Sequence, residues 1–336
     1  LGYLLGALLA APVVARLGEH RSFYYGLSLI ALSLAASAIT GDVPVLLVLR
    51  LVAGAAGAVC FVVGGGLTAQ AGRGSQGTVA NLMLAVYFAG GGLGVLLSGL
   101  LVPAVLDVGG WRLAWLALGG LSVLGLAAAV PAARAVPASP VPDTGGGRHR
   151  LLVRGFAPLL VAYALFGAGY IAYMTFIVAY LDAAGASGGE VTLFWAVLGI
   201  ATVAAAFAWR PVLGAVPGWA GTAIVLAVLA VGASLPLVST GTVVSLLSAV
   251  LFGGAFLTVV TVVTSTARDI LPAHHWTRAI AVLTVAFALG QCLGPVLAGV
   301  LSDFPGGIRL GLGVGAVLLV LSIPAALVQG RDVVRG

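Results

Sequence analysis

GGGLGVLLSGLL, Gly90 to Leu101, is matched further along the chain by GQCLGPVLAGVL, Gly290 to Leu301, an offset of 200 residues (290 − 90). After each comes a short turn, GGWRL at Gly109 to Leu113 and GGIRL at Gly306 to Leu310, and then one more apolar segment. Equal order at near-equal spacing marks an internal repeat. Two homologous bundles are expected, and the rest of the sequence says what surrounds them.

Apolar residues make up 61% of 336 positions and charged residues 7%, with a mean hydropathy of +1.20. A water-soluble domain carries roughly 25% charged residues, so this chain cannot cover itself against water. Apolar runs of about 20 residues recur from end to end, each long enough to cross a bilayer as a helix. The expected class is an all-α polytopic membrane protein. Charged, Pro and Gly clusters divide it into eleven spans, at 1–15, 22–41, 44–70, 77–106, 112–133, 155–181, 190–209, 218–239, 242–267, 277–302 and 309–329. Cys60 and Cys292 both lie inside apolar segments, far apart, and give neither a disulfide framework nor a metal spacing. No metal or cofactor is expected. Every basic side chain is arginine, spread over short loops without a basic stripe, so nucleic acid is not an expected partner.

Those loops supply an independent check. Odd-numbered connections hold Arg16, Arg21, Arg73, Arg134, Arg148, Arg150, Arg154, Arg210, Arg268 and Arg278, and the C-terminal tail adds Arg331 and Arg335. Even-numbered connections hold only Arg112 and Arg309, beside Asp42, Asp107, Asp182, Glu190 and Asp303. One miscounted span would destroy this alternation. By the positive-inside rule the arginine-rich side is cytoplasmic, which places the tail and the linker there, in a bacterial cytoplasmic membrane. The linker, RAVPASPVPDTGGGRHRLLVR at 134–154, is kept from helix by its prolines and glycines. It separates an N-terminal bundle, 1–133, from a C-terminal bundle, 155–336.

The C-terminal bundle has six expected spans and the N-terminal bundle five. Aligned on the repeat, the tyrosine-rich span 155–181 has no partner ahead of Leu1, so a further first helix is expected. Two six-helix halves related as parallel repeats, a long cytoplasmic central loop and a basic loop after the first span here resemble the major facilitator superfamily of secondary transporters. APVVARLGEHR, Ala11 to Arg21, resembles its signature loop: Arg16, Gly18 and Arg21 match, while Ala11 and Ala15 replace the usual Gly and Asp. The resemblance makes Arg16, Gly18 and Arg21 gating residues, with the usual acidic partner of that gate missing. Arg50 with Gly54 resembles the superfamily's Arg-x-x-x-Gly motif. Gly290, Gly294 and Pro295 resemble its antiporter motif, which belongs in another helix where Val95 stands at the proline's place; an antiporter is therefore not expected.

Arg50 sits in the apolar run VLRLVAGAAG, Val48 to Gly57. Three, four and seven positions on lie Ala53, Gly54 and Gly57, a small-residue face suited to a helix contact or cavity wall. Two readings stand: a cavity-lining cation, or an arginine whose stem reaches the outer surface. No acidic residue lies at mid-membrane, and a cation without an anion favours an anionic solute such as a carboxylate. In YALFGAGYIAYMTF, Tyr163, Phe166, Tyr170 and Tyr173 form one helical stripe, and tyrosines at membrane depth need hydroxyl partners. Tyr87 and Gln291 are further candidate substrate contacts, and Gly54, Gly90, Gly94, Gly290, Gly294 and Pro295 candidate helix-packing positions. An intramembrane hydrolase or a metal-dependent lipid transferase would need a His or Asp at depth or clustered acids, and none is placed there. The expected activity is secondary transport of a small organic solute by alternating access, as a monomer, with an anion as one candidate solute and protons as the candidate coupling ion. Efflux of drugs or metabolites on the same fold, and a passive channel, are the competing readings.

Overall fold

An α-helix satisfies its backbone polar groups internally, which is what a lipid environment demands, and the computed structural model of this chain is helical almost throughout. It describes residues 1–72, 77–137, 157–270 and 276–335. The helices are α1 (Gly2–Leu17), α2 (Glu19–Ser37), α3 (Val43–Ala71), α4 (Gly77–Arg134), α5 (Ala157–Ala183), α6 (Gly188–Ala208), α7 (Arg210–Ala215), α8 (Gly218–Val238), α9 (Thr242–Ile270), α10 (Trp276–Ser302) and α11 (Gly307–Arg335). Eight candidate spans are long and apolar enough to cross a membrane. One of them, Leu82–Arg134 with 53 residues, would measure about 80 Å if straight, enough for two crossings of a ~30 Å core. With α4 counted as two arms and six-residue α7 set aside, the described residues hold eleven helical arms.

Three boundaries differ from the sequence reading. Spans 77–106 and 112–133 are two helical arms, as expected, but they meet at Gly110 (φ 65°, ψ −169°) alone, because a single residue in a glycine-favouring conformation makes the turn expected of a loop. α2 begins at Glu19 and not at 22, because Gly18 (φ 79°, ψ 162°) alone separates it from α1. The segment after 209 contains α7, started by Pro211 at its first turn. α1, at 16 residues, falls just short of a full crossing, and α2 opens with Glu19, His20 and Arg21 and is not among the eight.

The chain divides into two compact units, one of Leu1–Tyr87 and Ser98–Thr144, the other of Phe88–Leu97 and Gly145–Gly336. In the first, α3 packs on α1 and α2, with Gly2 and Gly6 of α1 against the α3 backbone at Leu51 and Ala55. Ala10, Phe23, Val59, Cys60, Val63, Leu67 and Ala133 form its buried cluster. In the second, α5 packs between α10 and α11, and α9 against α6 and α8. Large apolar side chains such as Leu32 (66% exposed) and Leu124 (68%) lie bare mid-helix, as lipid-facing positions do. Buried Thr202, Thr266 and Thr284 donate to carbonyls four residues back, so their hydroxyls are satisfied within their own helices.

Candidate functional site

Arg50 lies seven residues into α3. Its Nη2 donates to the Ser33 carbonyl (3.1 Å), the Ser33 hydroxyl (3.4 Å) and the Ser37 hydroxyl (2.7 Å), all on α2. Those hydroxyls in turn donate to the carbonyls of Leu49 and Ser33, so their lone pairs are left for the guanidinium. The Trp115 ring covers one face, with Cζ 4.4 Å from its centroid. Every one of these partners is neutral, and Nε is buried with none. The small-residue face is real but does not accompany the cation: a Cβ on Gly54 would stand 3.0 Å from the Tyr3 amide nitrogen on α1, and Gly57 faces open space. Ser33, Ser37 and Trp115 were not apparent in the sequence, since they lie 13 to 65 residues away and carry no pattern of their own.

Tyr87 donates to the Cys60 carbonyl (3.2 Å) and is within reach of that of Phe61 (3.4 Å), closing α4 onto α3 beside Gly64. At the expected gate, Arg16 and Arg21 are exposed around Gly18, whose carbonyl accepts from Ser22 at 2.7 Å. The groups that engage the protein there are their neighbours. Gln70 donates to both carboxylate oxygens of Glu19 (2.8 Å each). His20 Nε2 lies 2.9 and 3.0 Å from the Ala133 and Val136 carbonyls at the end of α4.

In the second unit the tyrosine stripe builds an aromatic array. Tyr163 stacks on Phe287 (4.9 Å between centroids), Phe166 on Tyr170 (5.0 Å), and Tyr170 on Phe287 (5.6 Å, 7° between planes) and Phe256 (6.1 Å). Tyr173, with no exposed surface, stacks on Phe252 at 4.0 Å. Its hydroxyl lies 2.6 Å from Ser248, which donates to the Gly232 carbonyl, so Tyr173 ties α5 to α9 and α8. Gln291 Nε2 donates to the Tyr170 hydroxyl in a short bond, and Gln291 Oε1 is buried without a partner. Phe252, Phe256 and Phe287 were not singled out in the sequence; the spacing of four from Phe252 to Phe256 on α9, and from Phe287 to the candidate Gln291 on α10, puts each pair on one helix face.

The glycines of the repeat do not behave alike. A Cβ on Gly290 or Gly294 would collide with the α5 backbone at Ala164 and Ala168, whereas Gly90 and Gly94 meet nothing within 4 Å. In that stretch the packed positions are Gly91, against Leu257, and Gly92, against Thr202 and Gly199. Pro295, inside α10, has no N–H to offer the Gln291 carbonyl four residues back. Of the acids at helix ends, Glu190 is occupied: it completes a capping box with Ser187 and accepts from Thr242 at 2.5 Å, joining the starts of α6 and α9. Linker residues 138–156 and the side chains of Arg268, Arg278, Arg331 and Arg335 lie outside the described residues.

Residues 1–327 match the family described as uncharacterised MFS-type transporter YbfB. No curated protein sequence matches the chain. Among solved structures, that of the major facilitator superfamily (MFS) transporter FucP in the outward conformation superposes with a TM-score of 0.68 at 13% identity, covering 98% of this chain and 87% of FucP. A variant of FucP, the E. coli fucose:proton symporter, gives 0.65 at 13% identity over 98% and 89%. The fold is therefore that of the superfamily, and with the family match spanning nearly its whole length this chain belongs to the YbfB family of MFS-type transporters and is not an enzyme.

Proposed function

We propose that the protein is a secondary active transporter that moves a small organic solute by alternating access, with Tyr170 and Gln291 as its principal solute contacts. One observation carries this assignment of the site: the Tyr170–Gln291 pair leaves a buried amide oxygen unpaired on helices apolar and long enough to cross the membrane. An orphaned acceptor in a low-dielectric setting is costly unless a ligand or water meets it. Tyr163 belongs to the same array, while the hydroxyls of Tyr87 and Tyr173 are engaged with protein groups and serve packing. Proton coupling is part of the proposal, supported by likeness to the fucose:proton symporter. The test is solute uptake into proteoliposomes under imposed solute and pH gradients, with a panel of radiolabelled organic solutes. Saturable uptake with counterflow, reduced in Tyr170→Phe and Gln291→Leu, is expected. Non-saturable flux would indicate a channel, and wild-type uptake in both variants would move the site elsewhere.

A second reading concerns charge. Arg50 has only neutral partners and an unpartnered Nε, which favours a solute bearing a carboxylate. In that case organic anions compete with one another for uptake, and Arg50→Ala removes the preference.

A further inference from the structure

We propose that the Tyr170–Gln291 pair selects its solute through an uncharged hydroxyl group. This takes from the transporter reading only that the pair meets solute. The hydrogen-bond inventory gives the class. Gln291 Nε2 donates to the Tyr170 oxygen, so the phenol acts as acceptor in that bond and keeps its own proton to give. Among the described residues the phenol makes no hydrogen bond with that proton. Gln291 Oε1, buried and unpartnered, needs a donor. The pair thus offers one free donor and one free acceptor side by side. A hydroxyl complements both, donating to Oε1 and accepting from the phenol. A carboxylate has no proton to give Oε1, and its negative charge would face the partial negative charge of the amide oxygen. An ammonium or guanidinium could donate to Oε1 but has no lone pair for the phenol.

The surroundings hold the pair in place. Phe166, Phe256 and Phe287 stand within 5.0 to 6.1 Å of the Tyr170 ring centroid, with planes 7° to 19° from its own. These three rings are themselves buried, so they fix the Tyr170 ring and hold the polar pair in an apolar surround. Pro295 adds to this polarity, since the Gln291 carbonyl loses its helical donor at the same turn.

The experiment uses the full chain in lipid nanodiscs. Thermal unfolding is followed against phenol, cyclohexanol and methyl glucopyranoside as hydroxyl probes, and against benzoate and cyclohexanecarboxylate as acids on the same rings. At least one hydroxyl probe should stabilise the wild type saturably, with apparent affinity falling about tenfold in Gln291→Leu and less in Gln291→Asn, which keeps the amide. Tyr170→Phe, which keeps the ring and loses the O–H, should fall similarly and stands in if Gln291→Leu does not fold. Equal or stronger stabilisation by the acids overturns the proposal. So does an absence of saturable stabilisation by every hydroxyl probe, or stabilisation equal in wild type and variants, as lipid partitioning would give. The transporter reading is decided separately by flux: binding at Gln291 without saturable flux leaves this proposal standing and sinks that one.

Discussion

Arg50 could be picked out from sequence because charge is scarce in this chain, yet its environment could not. Its neighbours are two serines on α2 and a tryptophan on α4, residue types common enough to carry no signal until the helices are assembled. A half-buried cation held by neutral groups alone gains less than it would from an anion, and an apolar residue of similar length keeps its stem packing without the cost of desolvating the charge. Arg50→Met is therefore expected to leave thermal stability in detergent within about 1 kcal/mol of wild type. Trp115→Leu, which strips the ring from the guanidinium face, should cost about 1 kcal/mol or more, from cation–π and packing loss. If the second reading of function holds, Arg50→Met also abolishes selection for organic anions, and Arg50→Lys is intermediate because it keeps charge without the planar fork. A large stability loss in Arg50→Met with solute selection intact would make Arg50 a scaffold residue.

At the scale of elements, the helices were readable from apolar length and the bends between them were not. The turn between the two arms of α4 looked like a loop because GGWRL interrupts two apolar runs, but only Gly110 leaves the helical region. With φ 65° and ψ −169° it occupies a region that side-chain-bearing residues avoid, so Gly110→Ala should destabilise by about 1–3 kcal/mol, measured by thermal unfolding. The repeat was legible as a pattern, but its two copies pack differently. Gly294→Leu would drive its side chain into the backbone of α5 at Ala168 and should lose several kcal/mol or fail to assemble. Gly94→Leu, facing open space in this chain, should unfold within about 1 kcal/mol of wild type. If Gly94→Leu fails as Gly294→Leu does, a helix docks on that face as α5 docks on Gly294.

Across the whole molecule, the arginine alternation that checked the span count also implies an orientation, and contacts within each unit say which helix ends share a side. His20 meets the end of α4 and Glu19 meets Gln70 near the end of α3, so the α1–α2 junction and both helix ends share one side. Arg16, Arg21 and Arg134 stand there, while Arg112, beside Trp111, is at the other end of the second α4 arm. Within the second unit, Thr242 on Glu190 and Arg309 on the Leu237 carbonyl gather the starts of α6, α9 and α11 with the end of α8, where arginine is sparse. Translocation disfavours arginine-rich short loops, so the side bearing Arg16, Arg21 and Arg134 is expected to be cytoplasmic. In a variant without Cys60 and Cys292, Ser139→Cys should react with a membrane-impermeant thiol reagent only after cells are permeabilised. Ser239→Cys, on the exposed connection between α8 and α9, should react in intact cells. The reverse pattern would invert the topology while leaving the span count intact. Labelling of both in intact cells would mean the chain lacks a single fixed orientation, which alternating access between one inside and one outside cannot accommodate.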